Sequence, residues 1–488
     1  MTGPDADLDH YSSAVAMAAA VRERRISARE LLDLHLARIE EVNGEVNALV
    51  SLDPERAHAQ AAEADERLAR GEEVGALHGL PFAVKDTHAV AGWRTTFGSP
   101  VMADHVPDHD DLMVERVRAA GAVVVAKSNV PEFAAGSHTF NPVFGTTFNP
   151  HDLTRSAGGS SGGSAAALAS GMVPLADGSD MGGSLRNPAS FCNVVGLRPG
   201  LGRVPVWPMR NGWETTSVAG PMARSVEDLA LLLSVLAGPT PRVPLALETP
   251  GSVFAAPLDG PGTAGLAGLR VALSVDLGGA FEVDTEVASV VADQAAVLTG
   301  AGSRVVDAHP DLHEAEDTFR TLRAWHFQAS YGALLAANPG RLKASLADNI
   351  TAGASLSGAD VARGYAQRTA LGERMRLFFE DHDLLVMPVS QVPPFSAEQE
   401  YPAEINGRAQ VTYLDWMRSA YVISMTGCPA ISVPAGFTAD GLPVGIQLVA
   451  PPSGERRLLE VAHAFERLTR VGERRPSFRR GRQELPTG

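Results

Sequence analysis

Residues 155–204 read RSAGGSSGGSAAALASGMVPLADGSDMGGSLRNPASFCNVVGLRPGLGRV, the most unusual stretch of this chain. Two glycine-serine clusters, residues 158–164 and 182–184, enclose an apolar segment that predicts a helix followed by a strand. Glycine lets backbone amides approach a ligand without a Cβ in the way, and serine hydroxyls supply nucleophiles or proton relays. The pattern therefore predicts a site of chemistry.

On both sides of this stretch, short apolar segments of strand length alternate with segments of helical period. The predicted strands cover residues 80–84, 122–127, 269–275, 304–306, 383–387, 430–433 and 444–449. The predicted helices cover residues 54–70, 112–120, 284–299 and 456–468, the last with Leu458, Val461, Phe465 and Leu468 on one face. This order predicts an α/β fold with a large central mixed, mostly parallel β-sheet and helices on both faces.

The N-terminal part of the chain predicts helices. Ser27 and Glu30 form a capping-box pattern, and the helix that follows is predicted to stop at Asn43 and Gly44. Residues 8–72 are therefore expected to form an N-terminal helical layer. Residues 239–268, rich in proline, glycine and alanine, are expected to form a long surface connection.

Composition excludes several classes of protein. The chain has 488 residues, 57 acidic and 41 basic, for a net charge of −16, so we expect no general attraction to nucleic acid or anionic membrane. Its apolar runs are far shorter than the roughly 20 residues of a membrane helix, and residues 1–13 lack a signal-like pattern, which predicts a cytoplasmic protein. Cys192 and Cys428 are too few for a disulfide scaffold and are expected to be inert core thiols.

Lysine is rare in this sequence. Lys85, Lys127 and Lys343 are its three lysines, so the other 38 basic residues are arginines. A general base must lose its proton, which a desolvated lysine can do and an arginine cannot. Any catalytic amine is therefore one of three side chains.

The glycine-serine stretch allows several functions. A phosphate-binding loop needs a lysine after its glycines, and none lies nearby. A nucleophile elbow G-x-S-x-G occurs around Ser160 and again around Ser161, and fourteen histidines leave a serine-histidine triad open. Residues 151–157 read as a polar loop, however, whereas an elbow follows a strand. A flexible linker is disfavoured because an apolar strand and a second glycine cluster follow.

Further motifs match one known family in order and spacing over about residues 10–470. The blocks are GLPFAVKD (79–86), AKSNVPEF (126–133), NPVFG (141–145), CPAISVP (428–434) and GLPVGIQ (441–447). With residues 155–204, the sequence resembles the amidase signature family of serine hydrolases. The resemblance implies one domain, with a core at 79–237, a variable pocket region at 238–425 and a C-terminal sheet and helix at 426–472. Residues 473–488 are expected to be a flexible tail.

The resemblance implies a Ser-Ser-Lys triad. Ser184 matches the nucleophile that becomes acylated, Ser160 the bridging serine on a cis peptide, and Lys85 the base. The amides of Met181, Gly182, Gly183 and Ser184 match the oxyanion hole. The implied substrate contacts are Ala134 and Ser160, and the implied supporting residues are Ser161, Asp180 and Arg186.

The implied function is hydrolysis of a carboxylic amide, an aryl or alkyl amide, with ester or carbamate cleavage as side activities. No cofactor and no metal are expected, since acidic residues around His105 and His109 are interpreted as helix capping. The expected partner is a small-molecule amide, with a homodimer possible. Alternatives are the glutamine-hydrolysing subunit of a tRNA-dependent amidotransferase, disfavoured by the block GLRPGLGR (196–203), and a non-catalytic binding subunit.

Substrate choice is expected to depend on variable segments, residues 133–144, 324–331 and 413–424. Six aromatic residues in the last two segments are expected either to line an apolar pocket or to belong to the core: Trp325, Phe327, Tyr331, Tyr413, Trp416 and Tyr421. Met181 and Asn187 depart from the residues frequent in the family, which argues against transferring a relative's substrate.

Overall fold

The computed structural model describes residues 8–259 and 265–480. Its helices are α1 Ala14–Arg22, α2 Ala28–Val46, α3 Pro54–Ala69, α4 Leu112–Ala119, α5 Gly162–Ala169, α6 Arg186–Cys192, α7 Val226–Leu236, α8 Thr285–Gly300, α9 Ala315–Ala337, α10 Ala344–Ala354, α11 Gly358–Asp381, α12 Arg418–Thr426 and α13 Glu455–Thr469. None of the helices in these residues is both long and apolar enough to cross a membrane.

The strands form one large sheet and three small two-stranded ones. They are β1 Leu49–Leu52, β2 Pro81–Lys85, β3 Val123–Ser128, β4 Phe140–Asn141, β5 Gly145–Thr146, β6 Phe148–Asn149, β7 Asp152–Ser156, β8 Leu175–Asp180, β9 Val195–Arg198, β10 Val218–Ala223, β11 Arg270–Leu273, β12 Arg304–Asp307, β13 Leu384–Pro388, β14 Glu404–Ile405, β15 Arg408–Ala409, β16 Ala430–Phe437 and β17 Pro443–Val449. The large sheet has the order β1-β3-β2-β8-β10-β9-β16-β17-β13-β11-β12.

The large mixed sheet is as predicted, but its strands are not mostly parallel. In the described chain, β3-β2-β8 and β13-β11-β12 run parallel, whereas the other six neighbouring pairs are antiparallel. A short turn joins β16 to β17, and such a connection produces an antiparallel hairpin. Alternation of strands and helices indicates the fold class but does not fix the neighbour of each strand.

Both faces of the sheet are buried along its central strands, whereas edge strand β12 is largely exposed, and strand alternation divides the core into two parts. On β2, Phe82 and Val84 belong to one hydrophobic cluster, whereas Ala83 belongs to the other, together with Ala165 and Ala166 of α5. Successive side chains of a strand point to opposite faces. Lys85 therefore lies on the Ala83 face, towards α5 and the serines that precede it.

Most local predictions agree with the elements, but residues 152–156, read from the sequence as part of a polar loop, form strand β7. Ser27 and Glu30 form the capping box in full, although α2 continues past Asn43 and Gly44 and ends at Val46. On α13, the face predicted to be apolar is buried at Leu458, Val461 and Phe465. Leu468 is exposed, because it lies in the last turn of that helix.

Two segments make contacts that the sequence did not predict. Phe254 and Leu258, in the segment expected to be a surface connection, are buried in the larger core; residues 260–264 lie outside the described chain. Within the expected tail, Phe478 and Arg479 form backbone hydrogen bonds with Pro150 and Leu153. These two residues of the expected tail are therefore attached to the fold; the flexibility of the tail stays a prediction, and residues 481–488 lie outside the described chain.

Gly163, in the first turn of α5, tests how closely this helix must pack on β3. A Cβ at Gly163 would lie 2.2 Å from the backbone nitrogen of Asn129 and 2.7 Å from the carbonyl oxygen of Ala48. We expect Gly163→Ala to lower the free energy of unfolding by about 1–3 kcal/mol, the usual cost of overpacking, in urea denaturation.

Gly44→Ala is the matched control. Gly44 lies in α2, where a Cβ would meet nothing within 4 Å, so the change should raise stability by roughly 0.5–1 kcal/mol. Equal stabilities of the two variants would contradict the proposed packing of α5.

Candidate active site

The side chain of Lys85 is fully buried at the end of β2, and its amine contacts three serine hydroxyls. Nζ lies 2.8 Å from Ser160 Oγ, 2.9 Å from Ser161 Oγ and 3.0 Å from Ser179 Oγ. Strand β2 thus delivers the amine to the first glycine-serine cluster. The contact with Ser179, on β8, was not predicted.

Burial determines the protonation of Lys85. Desolvation lowers the pKa of this amine to about 7, against the opposing charges of Asp177 and Asp180. A large fraction of the amine is therefore neutral near pH 7, and a neutral amine has a lone pair that can accept a proton from a hydroxyl. The geometry and the pKa together fit a general base.

Lys127 provides the internal comparison. It is also fully buried, at the end of β3, and desolvation lowers its pKa to about 8. Its amine donates to the backbone carbonyl of His88 and to Thr95 Oγ1, the latter at 3.2 Å, and contacts none of the three serines around Lys85. Position, not burial, therefore distinguishes the two lysines.

The two glycine-serine clusters meet in the structure. The Gly159–Ser160 peptide is cis, as the resemblance implied, and the carbonyls of Gly158 and Gly159 accept hydrogen bonds from Thr139 and Ser137. The amide of Ser161 donates to the carbonyl of Ser184 at 3.2 Å. This contact joins the loop of Ser160 and Ser161 to the loop that ends at Ser184.

Residues 181–184, predicted to form the oxyanion hole and called the oxyanion segment below, differ from that prediction in the hydrogen bonding of one amide. The amide of Gly183 donates to Asp180 Oδ1 at 2.8 Å, so it is not free to bind an oxyanion in this state. Within the described chain, the amides of Met181, Gly182 and Ser184 have no hydrogen-bond partner. The structure therefore leaves three of the four predicted donors available.

Asp180 fixes this segment through a buried charge network. Its carboxylate pairs with Arg186, with two contacts of 3.0 Å, and with Arg198 at 3.3 Å, and all three side chains are almost fully buried. Despite desolvation, the two guanidinium groups hold the pKa of Asp180 far below its usual range. The supporting role implied for Asp180 and Arg186 agrees with this geometry.

Ser160, Ser179 and Ser184 line one cavity of about 200 Å³. Among the described residues, no hydrogen bond joins the Ser160 and Ser184 hydroxyls. Apo catalytic contacts are often loose and tighten when substrate binds. Ala134, the implied substrate contact, also lines the cavity, and its φ of 56° places it in the uncommon left-handed region.

Aromatic side chains form much of the cavity wall, where Phe133 lies 5.6 Å from Phe97 and 5.0 Å from Tyr331 between ring centroids. Of the six aromatic residues expected in the pocket or the core, three line the cavity: Phe327, Tyr331 and Tyr413. The other three pack elsewhere, and Trp416 is wholly buried against Phe191 and Phe395.

The rival chemistries find no support in the geometry. An elbow-type triad would require a histidine paired with Ser160 or Ser161. His138 pairs instead with Ser156. Burial raises the pKa of Cys428 to about 11 and raises that of Cys192 further, so both thiols are protonated near pH 7.

The acidic run near His109 is irregular, and it matches the expected helix cap only in part: Asp111 is the N-cap residue of α4. Asp110 and Asp111 accept from the amides of Ala91 and Ala89, and Asp111 makes no side-chain cap of α4. Across residues 8–259 and 265–480, His, Cys, Asp and Glu form no group of three that could hold a metal.

Several residues around the site were not predicted. Asp177 accepts a hydrogen bond from the Lys85 amide at 2.8 Å and also contacts the ring of His88, which lines the cavity. Arg323 of α9 lines the cavity as well. Asp177 and Ser179 could have been predicted, because they shortly precede the glycine-serine cluster at residues 182–184. The sequence around Arg323 contains no motif that indicates its place in the cavity wall.

Comparisons with known proteins agree with this geometry. A family model described as Amidase matches residues 30–459. The chain is 36% identical to an acylamidase of Rhodococcus erythropolis over 96% of this chain and 98% of that protein. It is also 36% identical to a glutamyl-tRNA(Gln) amidotransferase subunit of Synechococcus sp. (strain CC9605), over 92% of this chain and 95% of that protein.

Among solved structures, the chain resembles a bacterial aryl acylamidase described as belonging to the amidase signature enzymes. The TM-score is 0.88 at 29% identity, over 95% of this chain and 97% of that one.

The pKa of Lys85 predicts how the rate depends on pH. The value of kcat/KM should rise about tenfold per pH unit below about 7 and level off above it, because only the neutral amine accepts the proton. Steady-state kinetics from pH 5 to pH 9 measure this profile. A rate independent of pH from 5 to 7 would contradict the role of Lys85 as base.

The charge network of Asp180 predicts a loss of stability. Asp180→Ala leaves two buried guanidinium groups unpaired, so the free energy of unfolding should fall by about 3–5 kcal/mol in chemical denaturation. Glu373→Gln, which breaks an exposed pair with Arg376, is the control and should leave the free energy of unfolding nearly unchanged, because solvent screens that pair. Similar losses for the two variants would show that the buried charge network contributes no more to stability than an exposed ion pair does.

Proposed function

We infer the reaction from one premise: the chain belongs to the amidase family. It is an enzyme that hydrolyses the C–N bond of a carboxylic amide. We propose that Lys85, Ser160 and Ser184 perform the steps of this reaction and that the substrate is an aryl or alkyl amide.

Acylation begins at Ser184. Neutral Lys85 takes the proton of Ser160, and Ser160 takes the proton of Ser184, whose Oγ then forms a bond to the amide carbon. The negative oxygen of the tetrahedral intermediate is bound by the free amides of Met181, Gly182 and Ser184. The proton returns through Ser160 to the leaving nitrogen as the C–N bond breaks, which releases an amine or ammonia.

Deacylation follows the same route with water as the nucleophile. Water attacks the Ser184 ester, and its proton passes through Ser160 to Lys85. The Ser184 oxygen takes that proton back as the ester bond breaks, and the acid leaves. The enzyme is then ready for another cycle.

The observation that carries the proposal is the contact of Lys85 Nζ with Ser160 Oγ, at 2.8 Å, in the wall of a cavity that Ser184 also lines. Ser161 and Ser179 orient the amine by accepting its other two hydrogen-bond contacts. Intact contacts among these residues disfavour a non-catalytic binding subunit.

The cavity wall supports an aryl or alkyl amide as the substrate. Its aromatic side chains suit an apolar group, and the structural neighbour is named as an aryl acylamidase. The same acyl-enzyme route allows slower cleavage of esters and carbamates. The net charge of −16 disfavours nucleic acid as a partner. We propose that the protein is a cytoplasmic enzyme that acts on small molecules, either alone or as a homodimer.

Glutamine hydrolysis for a tRNA-dependent amidotransferase is the second candidate, because one such subunit is also 36% identical. Glutamine carries an ammonium group as well as a carboxylate. No described residue that lines the cavity has a carboxylate side chain to pair with that ammonium. The cavity therefore favours an amide without a free amino group.

A chromogenic anilide distinguishes these candidates. The purified chain should hydrolyse an N-acyl-4-nitroanilide with a kcat/KM at least 100-fold above that for ammonia release from glutamine, by the charge argument above. Ser184→Ala should lower the anilide rate by at least about 1,000-fold, as expected for loss of a nucleophile.

Ser234→Ala is the matched control, because Ser234 lies on α7, where its hydroxyl donates to the Leu231 carbonyl. Its anilide rate should equal that of the unaltered enzyme. Preference for glutamine would support the second candidate, and full activity of Ser184→Ala would contradict the proposed nucleophile.

A further inference from the structure

One charge stands out in the cavity wall. Among the described residues that line it, Arg323 is the one Arg, Lys, Asp or Glu. Arg323 is 5% exposed, so its guanidinium has little contact with bulk water. A charge in such a place requires a reason.

The neighbours of this guanidinium are all neutral. Nε donates to Asn349 Oδ1 at 3.2 Å, Nη2 to the Tyr413 hydroxyl at 2.5 Å, and Nη1 to Met181 Sδ at 3.1 Å. The group also lies over the ring of Phe327, 4.1 Å from its centroid. Thioethers and aromatic faces are weak partners that do not cancel a positive charge.

Other buried arginines of this chain are better compensated. Arg186 and Arg203 pair with Asp180 and Glu455, at 3.0 and 3.1 Å. Arg368 instead donates to backbone carbonyls. Within the described chain, Arg323 has no carboxylate within 4.0 Å and no backbone carbonyl partner, although leaving a buried charge unpaired is costly.

We propose that Arg323 binds a carboxylate of the substrate, so that the enzyme acts on apolar amides that carry one negative group. The inference rests on the proposed function of the same cavity. A carboxylate matches the planar fork of a guanidinium and accepts two hydrogen bonds from it. Stacking on Phe327 and the bond to Tyr413 hold that fork in one orientation.

The position of Arg323 links this contact to the reaction centre. Met181, whose sulfur contacts the guanidinium, also supplies the first free amide of the oxyanion segment. A substrate anchored at Arg323 therefore has its anion next to the residue that starts the oxyanion hole. Binding energy at that point can position the scissile carbonyl.

The cavity contains no second fixed charge of either sign among the described residues that line it. His326 also lines it, and burial lowers the pKa of this imidazole, helped by the charge of Arg323 and opposed by that of Glu214. His326 is therefore neutral near pH 7. The complementary ligand has one carboxylate and an apolar remainder, and lacks an ammonium.

The test compares probes of equal shape and different charge. Succinyl-4-nitroanilide places the carboxylate on the acyl side, and 4-methylpentanoyl-4-nitroanilide is its neutral isostere. A second pair, N-butyryl-4-aminobenzoate and N-butyryl-4-isopropylaniline, places it on the amine side. The measured quantity is the ratio of kcat/KM for the charged probe over the neutral one in each pair.

In at least one pair the unaltered enzyme should favour the charged probe by tenfold or more. Arg323→Met should abolish that preference, mainly through KM, whereas Arg323→Lys should restore part of it because the charge returns. Arg363→Met is the matched control, since Arg363 is half-exposed on α11 and pairs with Asp360, and it should keep the preference.

The possible failures are distinguishable. Hydrolysis of the neutral probes without preference for either charged probe overturns this inference and leaves the proposed amidase reaction intact. A preference that survives in Arg323→Met, with the fold preserved by circular dichroism, also overturns it. Hydrolysis of none of the four probes contradicts the proposed function and this inference together.

Discussion

The amine of Lys85 lies out of contact with solvent, where three serine hydroxyls are its hydrogen-bond partners. An ammonium is poorly stable in such a place, so the fold itself favours the neutral base. This constraint explains why the end of β2, the start of α5 and the end of β8 converge at one point. The glycines around Ser160 and Ser161 have a different cause: a Cβ at Gly159 would lie 3.1 Å from the backbone of Ser137 and His138, and one at Gly162 would lie 2.3 Å from Thr139 Oγ1.

Asp180, which follows Ser179 on β8, is also buried but keeps its charge. Asp180 stays ionised because Arg186 and Arg198 surround it, and its oxygens also accept from the amides of Gly183 and Leu185. A buried anion therefore fixes the backbone of residues 183–185, while the proposed proton acceptor is a buried amine whose pKa is lowered. The two groups influence each other, since the charge of Asp180 opposes the lowering of the Lys85 pKa.

Sequence reasoning succeeded where a short pattern has a local physical cause. The capping box of α2 and most of the strands follow from such patterns, whereas the role of Lys85 came from the family resemblance and stays a prediction. It failed where long-range packing decides, as in the antiparallel strand pairs and the burial of Phe254 and Leu258. The use of the Gly183 amide by Asp180 and the cavity position of Arg323 likewise depend on contacts between distant segments, which spacing along the chain does not record.

The central claim is that Ser184 becomes the nucleophile through a buried, neutral Lys85. Mass-spectrometric mapping of a fluorophosphonate probe on the intact enzyme and on Lys85→Ala tests it directly. The account predicts labelling at Ser184 in the intact enzyme and its loss in the variant. Labelling at Ser160 or Ser161, or labelling at Ser184 that does not depend on Lys85, would contradict it.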